Sequence, residues 1–190
     1  MIKSASLNEE LFIMLVPNKK SLTPILNIQQ AIANHFNLYQ DQFYPELHIT
    51  LDRITKEASQ QAEEILASIC STDEPVKILI DSFKCYNLNN KFLALKLNTT
   101  DSLLNLATNL HHELEKSNIS TIENYDNWEF HITVASTNFA QQQLPEDEFI
   151  DLCRSLDGLP KKISTTAQKL EIWRPTLDPK EKVVTSFELM

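Results

Sequence analysis

The chain has 190 residues, a formal net charge of −9 at pH 7 and 42% hydrophobic residues, enough to bury a real core in one domain or two closely packed lobes. With no Lys/Arg cluster beyond Lys19-Lys20 and Lys161-Lys162, that charge excludes coating of a long nucleic acid, which needs a basic stripe. A single glycine, Gly158, excludes Walker loops, dinucleotide fingerprints and nucleophile elbows, all of which need several glycines.

Residues 11–16 form an apolar run that reads as a strand. Glu9 and Glu10 precede it, Pro17 follows it, and no small-residue cleavage pattern is present, so neither a signal peptide nor a membrane span is expected. Thr23 and Pro24 look like the N-cap and first residue of a helix with Ile25, Ile28, Ile32 and Phe36 on one face. His35 falls in its last turn, where a surface cation suits the helix dipole. Residues 46–51 alternate as a strand. Residues 56–70 place Ala58, Ala62, Ile65 and Ile69 on one helical face, and residues 76–86 alternate again.

A strand over 92–97 opens the second half. Lys96 interrupts it, either reaching toward a ligand or snorkelling as an edge lysine. Thr100 or Asp101 caps a helix with Leu103, Leu106, Ala107, Leu110 and Leu114 on one face. Within it, His111-His112-Glu113 is no metal site, because adjacent helical residues point about 100° apart. A strand over 129–134, a helix over 145–156 with an acidic first turn, and strands near 164–173 and 183–189 complete the chain.

The functional signal is a repeat. Glu46-Leu47-His48-Ile49-Thr50-Leu51 returns as Glu129-Phe130-His131-Ile132-Thr133-Val134, each preceded by strand and helix at nearly the same spacing. With period-two alternation, each motif sets an imidazole and a hydroxyl about 7 Å apart on one strand face. Glu46 and Glu129 share that face by parity, able to orient an imidazole or to stand at a cleft rim. The duplication predicts a single α+β domain over 1–190, with two lobes related by an approximate two-fold, antiparallel sheets, outer helices and a central cleft. In such a cleft His48 and His131 flank one bound group as acid and base, and Thr50 and Thr133 bond its oxygens. Breaking a phosphodiester in line needs this pair and no metal. Tyr44, Tyr125 and Trp128 are candidates for stacking on a base at the cleft mouth, with core packing as the commoner use of such aromatics.

These residues resemble the two-histidine (2H) phosphoesterase superfamily, whose mark is a pair of His-x-Thr/Ser motifs, here His48-Ile49-Thr50-Leu51 and His131-Ile132-Thr133-Val134. Within it, the chain is similar to the RNA 2′,3′-cyclic phosphodiesterase or 2′-5′ RNA ligase-like proteins. The resemblance implies His48 as proton donor, His131 as proton acceptor, Thr50 and Thr133 as phosphate ligands, and no cofactor or metal. Hydrolysis of a 2′,3′-cyclic phosphate on a nucleotide or short RNA is the leading expectation. The alternatives are action on 2′-5′ oligoadenylate, a cyclic dinucleotide or an RNA 3′ tail, and a non-catalytic nucleotide-binding module of the same fold. Cys70, Cys85 and Cys153, odd in number and without C-x-x-C spacing, predict free thiols and a cytoplasmic location, with Cys85 a small buried hydrophobe, and the chain is expected to be a monomer.

Overall fold

The computed structural model describes residues 5–40, 43–72, 74–87, 91–159 and 162–190. In the first half, β1 (Glu10–Pro17) leads to α1 (Thr23–His35) and β2 (Ile49–Thr55). Next come α2 (Ser59–Cys70) and β3 (Val76–Asn87). The order then repeats as β4 (Lys91–Asn98), α3 (Asp101–Lys116) and β5 (His131–Ser136). The chain closes with α4 (Glu146–Ser155), β6 (Ile163–Trp173), the short α5 (Pro179–Lys182) and β7 (Val183–Glu188).

All strand pairings are antiparallel, in the order β1-β2-β5-β4-β3-β6-β7 with β6 also pairing β1. The long β6 serves both halves: residues 167–173 pair with β1, and residues 163–167 pair with β3. One lobe is therefore β2-β1-β6-β7 and the other β5-β4-β3-β6, with β1 and β2 corresponding to β4 and β5. The lobes also meet at one residue pair, Ile49 opposite Ile132, midway along the two motifs. Lys96 lies on β4, an interior strand between β3 and β5, so the edge reading does not hold; it is exposed and stands opposite His131.

Helix ends follow from local chemistry. Thr100 caps α3, its hydroxyl accepting from the Leu103 N–H. Thr23 does not cap α1, because a 3₁₀ turn over Lys19–Leu22 runs directly into the helix and turns its hydroxyl back to the Lys20 carbonyl. With so little glycine, asparagine takes the left-handed positions that stop α1 and α3: Asn37 at φ 47° and Asn118 at φ 57°. Leu38 and Ile119 then fold back to the Ala33 and Leu114 carbonyls and bury their side chains.

Both motif strands carry a β-bulge at the same place. Met14 pairs with Thr50 but Ile13 with Asp52, which leaves Leu51 unopposed; Ala94 pairs with Thr133 but Leu93 with Ala135, which leaves Val134 unopposed. Each bulged carbonyl is taken by a side chain from the other half. Tyr125 Oη donates to the Leu51 carbonyl at 2.9 Å, and Gln29 Nε2, from buried Gln29, donates to the Val134 carbonyl at 2.8 Å. The helices cross in the same sense, α1 packing on β5 and α3 on β2.

The cysteine expectation is overturned in part. Cys85 on β3 and Cys153 on α4 form a disulfide with their Cα atoms 6.1 Å apart, while Cys70 is a buried thiol outside it. Spacing hid the pair because only the packing of α4 on β3 brings positions 68 residues apart together. Closing so long a loop should stabilise the protein by about 2–4 kcal/mol. The Cys85→Ser/Cys153→Ser variant is therefore expected to unfold at lower urea than the oxidised protein, and a reductant should lower the midpoint of the native protein while leaving the variant unchanged.

Candidate active site

His48 and His131 are placed by their own main chain. His48 Nδ1 lies 2.6 Å from the Glu46 carbonyl and His131 Nδ1 lies 2.9 Å from the Glu129 carbonyl. A carbonyl only accepts, so each Nδ1 carries the proton and each Nε2 is left for the space in front. Continuing the Ile49–Ile132 register sets His48 across from Thr133 and His131 across from Thr50. All four side chains line one cavity of about 260 Å³. Ile49, Leu51, Ile132 and Val134 point the other way into the core, each fully buried.

The bulge in the first motif strand keeps a carboxylate out of the site, while on the second strand Ser136 joins the lining. Without the extra residue, Asp52 would continue the alternation after His48 and Thr50 and aim a carboxylate into the cleft. Turned inward instead, Asp52 is fully buried and accepts from the Arg53 N–H, Ser120 Oγ and His111 Nδ1 at 2.6, 2.7 and 2.7 Å. His111 in turn stacks on Tyr125 with ring centroids 3.7 Å apart.

Tyr125 and Trp128 do not reach the cleft. Trp128 Nε1 donates to the Thr50 carbonyl at 3.0 Å, beside the Tyr125 bond to Leu51, so the segment leading into the second motif is tied to the backbone of the first. Reciprocally, Tyr39, ahead of the first motif, accepts from the Ser136 N–H and donates to the Ser136 carbonyl. Tyr44 bonds Asn34 and lies outside the cleft lining, and His35 is exposed at the end of α1. Lys96, like Cys85, is not part of the lining.

The aromatic walls come from residues the sequence reading passed over: Phe12, Phe92, Phe139 and Trp173. Trp173 meets the His48 ring edge-on at 4.9 Å, and the stacked pair Tyr86–Phe92 lies beside His131, with Phe92 at 5.7 Å. Trp173 opposes Phe12 as Tyr86 opposes Phe92, so these aromatics obey the same two-fold. Their signal in sequence was only a place at strand ends; recognising it requires knowing that β3 and β6 flank the motif lobes.

Each histidine also has a Glu–Lys pair behind it. Lys84 donates to both Glu129 oxygens at 2.6 and 2.9 Å and lies over the Tyr86 ring, while Lys182 binds Glu46 and lies over the Trp173 ring at 4.3 Å. Glu46 is further bound by Lys19. Burial pushes the Glu46 carboxyl up, but the bonds from Lys182 and Lys19 more than offset this and hold it low. Glu129 is held low chiefly by the Lys84 hydrogen bond.

The imidazoles themselves are shifted by burial. It is the largest influence on His48, aided by the charges of His131 and Lys182 and opposed by the bond to Glu46, and it brings the ring down to about 4. His131 is lowered as well, again chiefly by burial. Both rings thus favour the neutral form at pH 7.

Residues 26–179 match the family model described as the 2′-5′ RNA ligase superfamily, a span that contains both motifs. No curated protein matches the sequence significantly. Among solved structures, the fold is similar to TT0787 of Thermus thermophilus, at TM-score 0.61 and 16% identity over 95% of this chain and 97% of that one. It is also similar to E. coli LigT crystallised with NADP+, at TM-score 0.58 and 12% identity over 96% and 98%. Usb1 of Kluyveromyces marxianus gives TM-score 0.50 and 15% identity over 97% and 99%.

Because the folded pKa of His48 lies below its unfolded value near 6.5, the unfolded chain binds the extra proton first. The stability tied to a neutral His48 is present above pH about 6.5 and is lost as the pH falls toward 4. Urea midpoints measured across that window should fall steadily for the native chain and less steeply for His48→Gln.

Proposed function

The chain belongs to the 2′-5′ RNA ligase superfamily of two-histidine phosphoesterases, and we propose that it is a metal-independent phosphodiesterase that hydrolyses a 2′,3′-cyclic phosphate on a nucleotide or short RNA. The observation that carries this reading is the symmetric presentation of two Nδ1-anchored imidazoles and two threonine hydroxyls to one cavity. Crystals of E. coli LigT with 3′-AMP, ATP and phosphate add that a protein of this fold accepts nucleotides and phosphate.

In this mechanism His131 Nε2 takes a proton from the attacking water, and His48, protonated at Nε2, gives one to the departing ribose oxygen. The carbonyls of Glu46 and Glu129 fix both rings and favour the imidazolium as it forms. Thr50 and Thr133 bond the non-bridging oxygens as charge grows there. Burial disfavours the proton on His48, and an arriving phosphodiester anion supplies the opposite charge that raises it. The aromatic walls suit the flat faces of a nucleobase.

The test is turnover in the presence of EDTA on a panel of 2′,3′-cyclic mononucleotides, cyclic-ended RNA, 2′-5′ oligoadenylate and cyclic dinucleotides. Cyclic-ended substrates should be cut, with activity unaffected by the chelator. His48→Ala and His131→Ala should each cost at least about 10²-fold, and Thr50→Ala or Thr133→Ala less, since water partly replaces a hydroxyl. Folded histidine variants with near-normal turnover would refute the assignment, and turnover of another panel member alone would redirect it.

Two imidazoles both lowered by burial also move the pH optimum. The kcat/KM profile should be a bell centred on the acid side, between about 4 and 6.5, and not the pH 5–8 bell expected of unperturbed histidines. An optimum above pH 7 would contradict this electrostatic picture.

A further inference from the structure

Lys182 is the feature that the two-fold frame leaves unexplained. Its counterpart Lys84 sits on the rim with 39% of its side chain exposed, whereas the Lys182 side chain is 9% exposed and lines the cleft with His48, Thr50, His131 and Thr133. Lys84 comes from the strand that carries Tyr86. The corresponding place two residues before Trp173 is Glu171, which is turned to Trp173 Nε1 and Ser186, so the cation on this side is delivered from α5 instead.

That delivery is rigid. The Asp178 side chain caps α5 through the Lys180 N–H, the Lys182 carbonyl accepts from the Arg174 N–H, and Arg174 Nη1 donates to the Glu181 carbonyl. Lys182 lies outside the 26–179 span shared with the family model.

Charge counting shows what so placed an ammonium is for. Among the described cleft-lining residues, the formally charged side chains are Glu46, Arg174 and Lys182, which leaves a surplus of one positive charge in a chain of net −9. Glu46 is bound by two lysines, and the second, Lys19, is 65% exposed and outside the cleft lining. When an anion enters, Lys182 can turn hydrogen bonds toward it while Lys19 keeps the Glu46 carboxylate paired. A primary ammonium has three donors and needs only one for Glu46.

Resting on the phosphodiesterase reading, we propose that Lys182 is a direct ligand of the substrate phosphate, the cation that complements Thr50 and Thr133, with Glu46 as its holder and its competitor. A charge-assisted bond of this kind is stronger than a neutral one, so its loss should be read as about a tenfold or greater loss of anion affinity.

The competitor role gives a test whose sign a structural ion pair cannot mimic. Binding of inorganic phosphate is followed by NMR titration for the native protein, Lys182→Gln, Lys182→Arg and Glu46→Gln, each checked for folding by urea unfolding. Phosphate should bind about tenfold or more weakly to Lys182→Gln, near normally to Lys182→Arg, and more tightly than native to Glu46→Gln, where no carboxylate competes. If both Gln variants weaken alike, the pair is only structural and the proposal fails. Unchanged affinity in both also overturns it. Native turnover on the phosphodiester panel with unaltered phosphate binding in the variants would leave the phosphodiesterase reading standing and Lys182 without this role. The expected binding pattern in a protein that turns over no panel member would keep the anion ligand and sink the enzymatic reading.

Discussion

Two bulged carbonyls set the terms for the rest of this structure. A β-bulge leaves a main-chain oxygen without its ladder partner, and burying such an oxygen unpaired costs roughly 1–3 kcal/mol. Here the bulged residues are Leu51 and Val134, the fourth residues of the two motifs, and the carbonyl of each accepts a hydrogen bond from the opposite half, through Tyr125 and Gln29. Neither motif strand can therefore reach its final shape alone. The crossed helices, α1 on β5 and α3 on β2, express the same dependence in apolar packing. A direct ladder contact of one residue pair between β2 and β5 would be a weak hinge; these reciprocal bonds make it a fixed angle.

The fixed angle has a chemical consequence. The proposed acid–base work on one phosphorus tolerates little misplacement of either imidazole, and the bulge in the first motif strand also turns Asp52 away from the cleft. One local irregularity thus removes a carboxylate from beside the histidines and locks the two motifs together. The imidazoles are then held by carbonyls two residues upstream and not by carboxylates, and burial, the largest influence on each, keeps both rings weakly basic.

Much of this was legible in the chain because a duplicated sequence duplicates its periodicities. Alternation in residues 46–51 and 129–134 identified the strands, the apolar faces identified the helices, and the repeat of His48-Ile49-Thr50 as His131-Ile132-Thr133 placed the tetrad on one side. What escaped depends on register. Alternation assumes an unbroken ladder, so it predicted neither the inward turn of Asp52 nor the partner of the Leu51 carbonyl. Tyr125 and Trp128 carried the right chemistry, a polar group on an apolar ring, but a stacking residue and a backbone clamp look the same until the neighbouring strand is known. The Cys85–Cys153 bond was hidden for the same reason, since helix-to-strand packing carries no local code.

The departures from symmetry complete the physical picture. A perfect two-fold would offer a phosphodiester identical surroundings on both sides, yet such a substrate has a sugar on one side and an incoming or departing oxygen on the other. The frame is kept where symmetry is useful, in the imidazoles, hydroxyls, carbonyl anchors and bulges. It is broken in the surrounding shell: a buried lysine behind His48 and an exposed one behind His131, a single indole edge-on to one ring and a stacked pair beside the other. Lys182 and Lys84 disfavour the imidazoliums of His48 and His131, and Glu46 and Glu129 favour them, so the two pairs act with the same signs and differ in their exposure. In the proposed reaction the bound anion has to raise the proton onto His48 while His131 stays neutral, so the protonation states that let one ring give and the other take are set by the substrate and not by the shell around the rings.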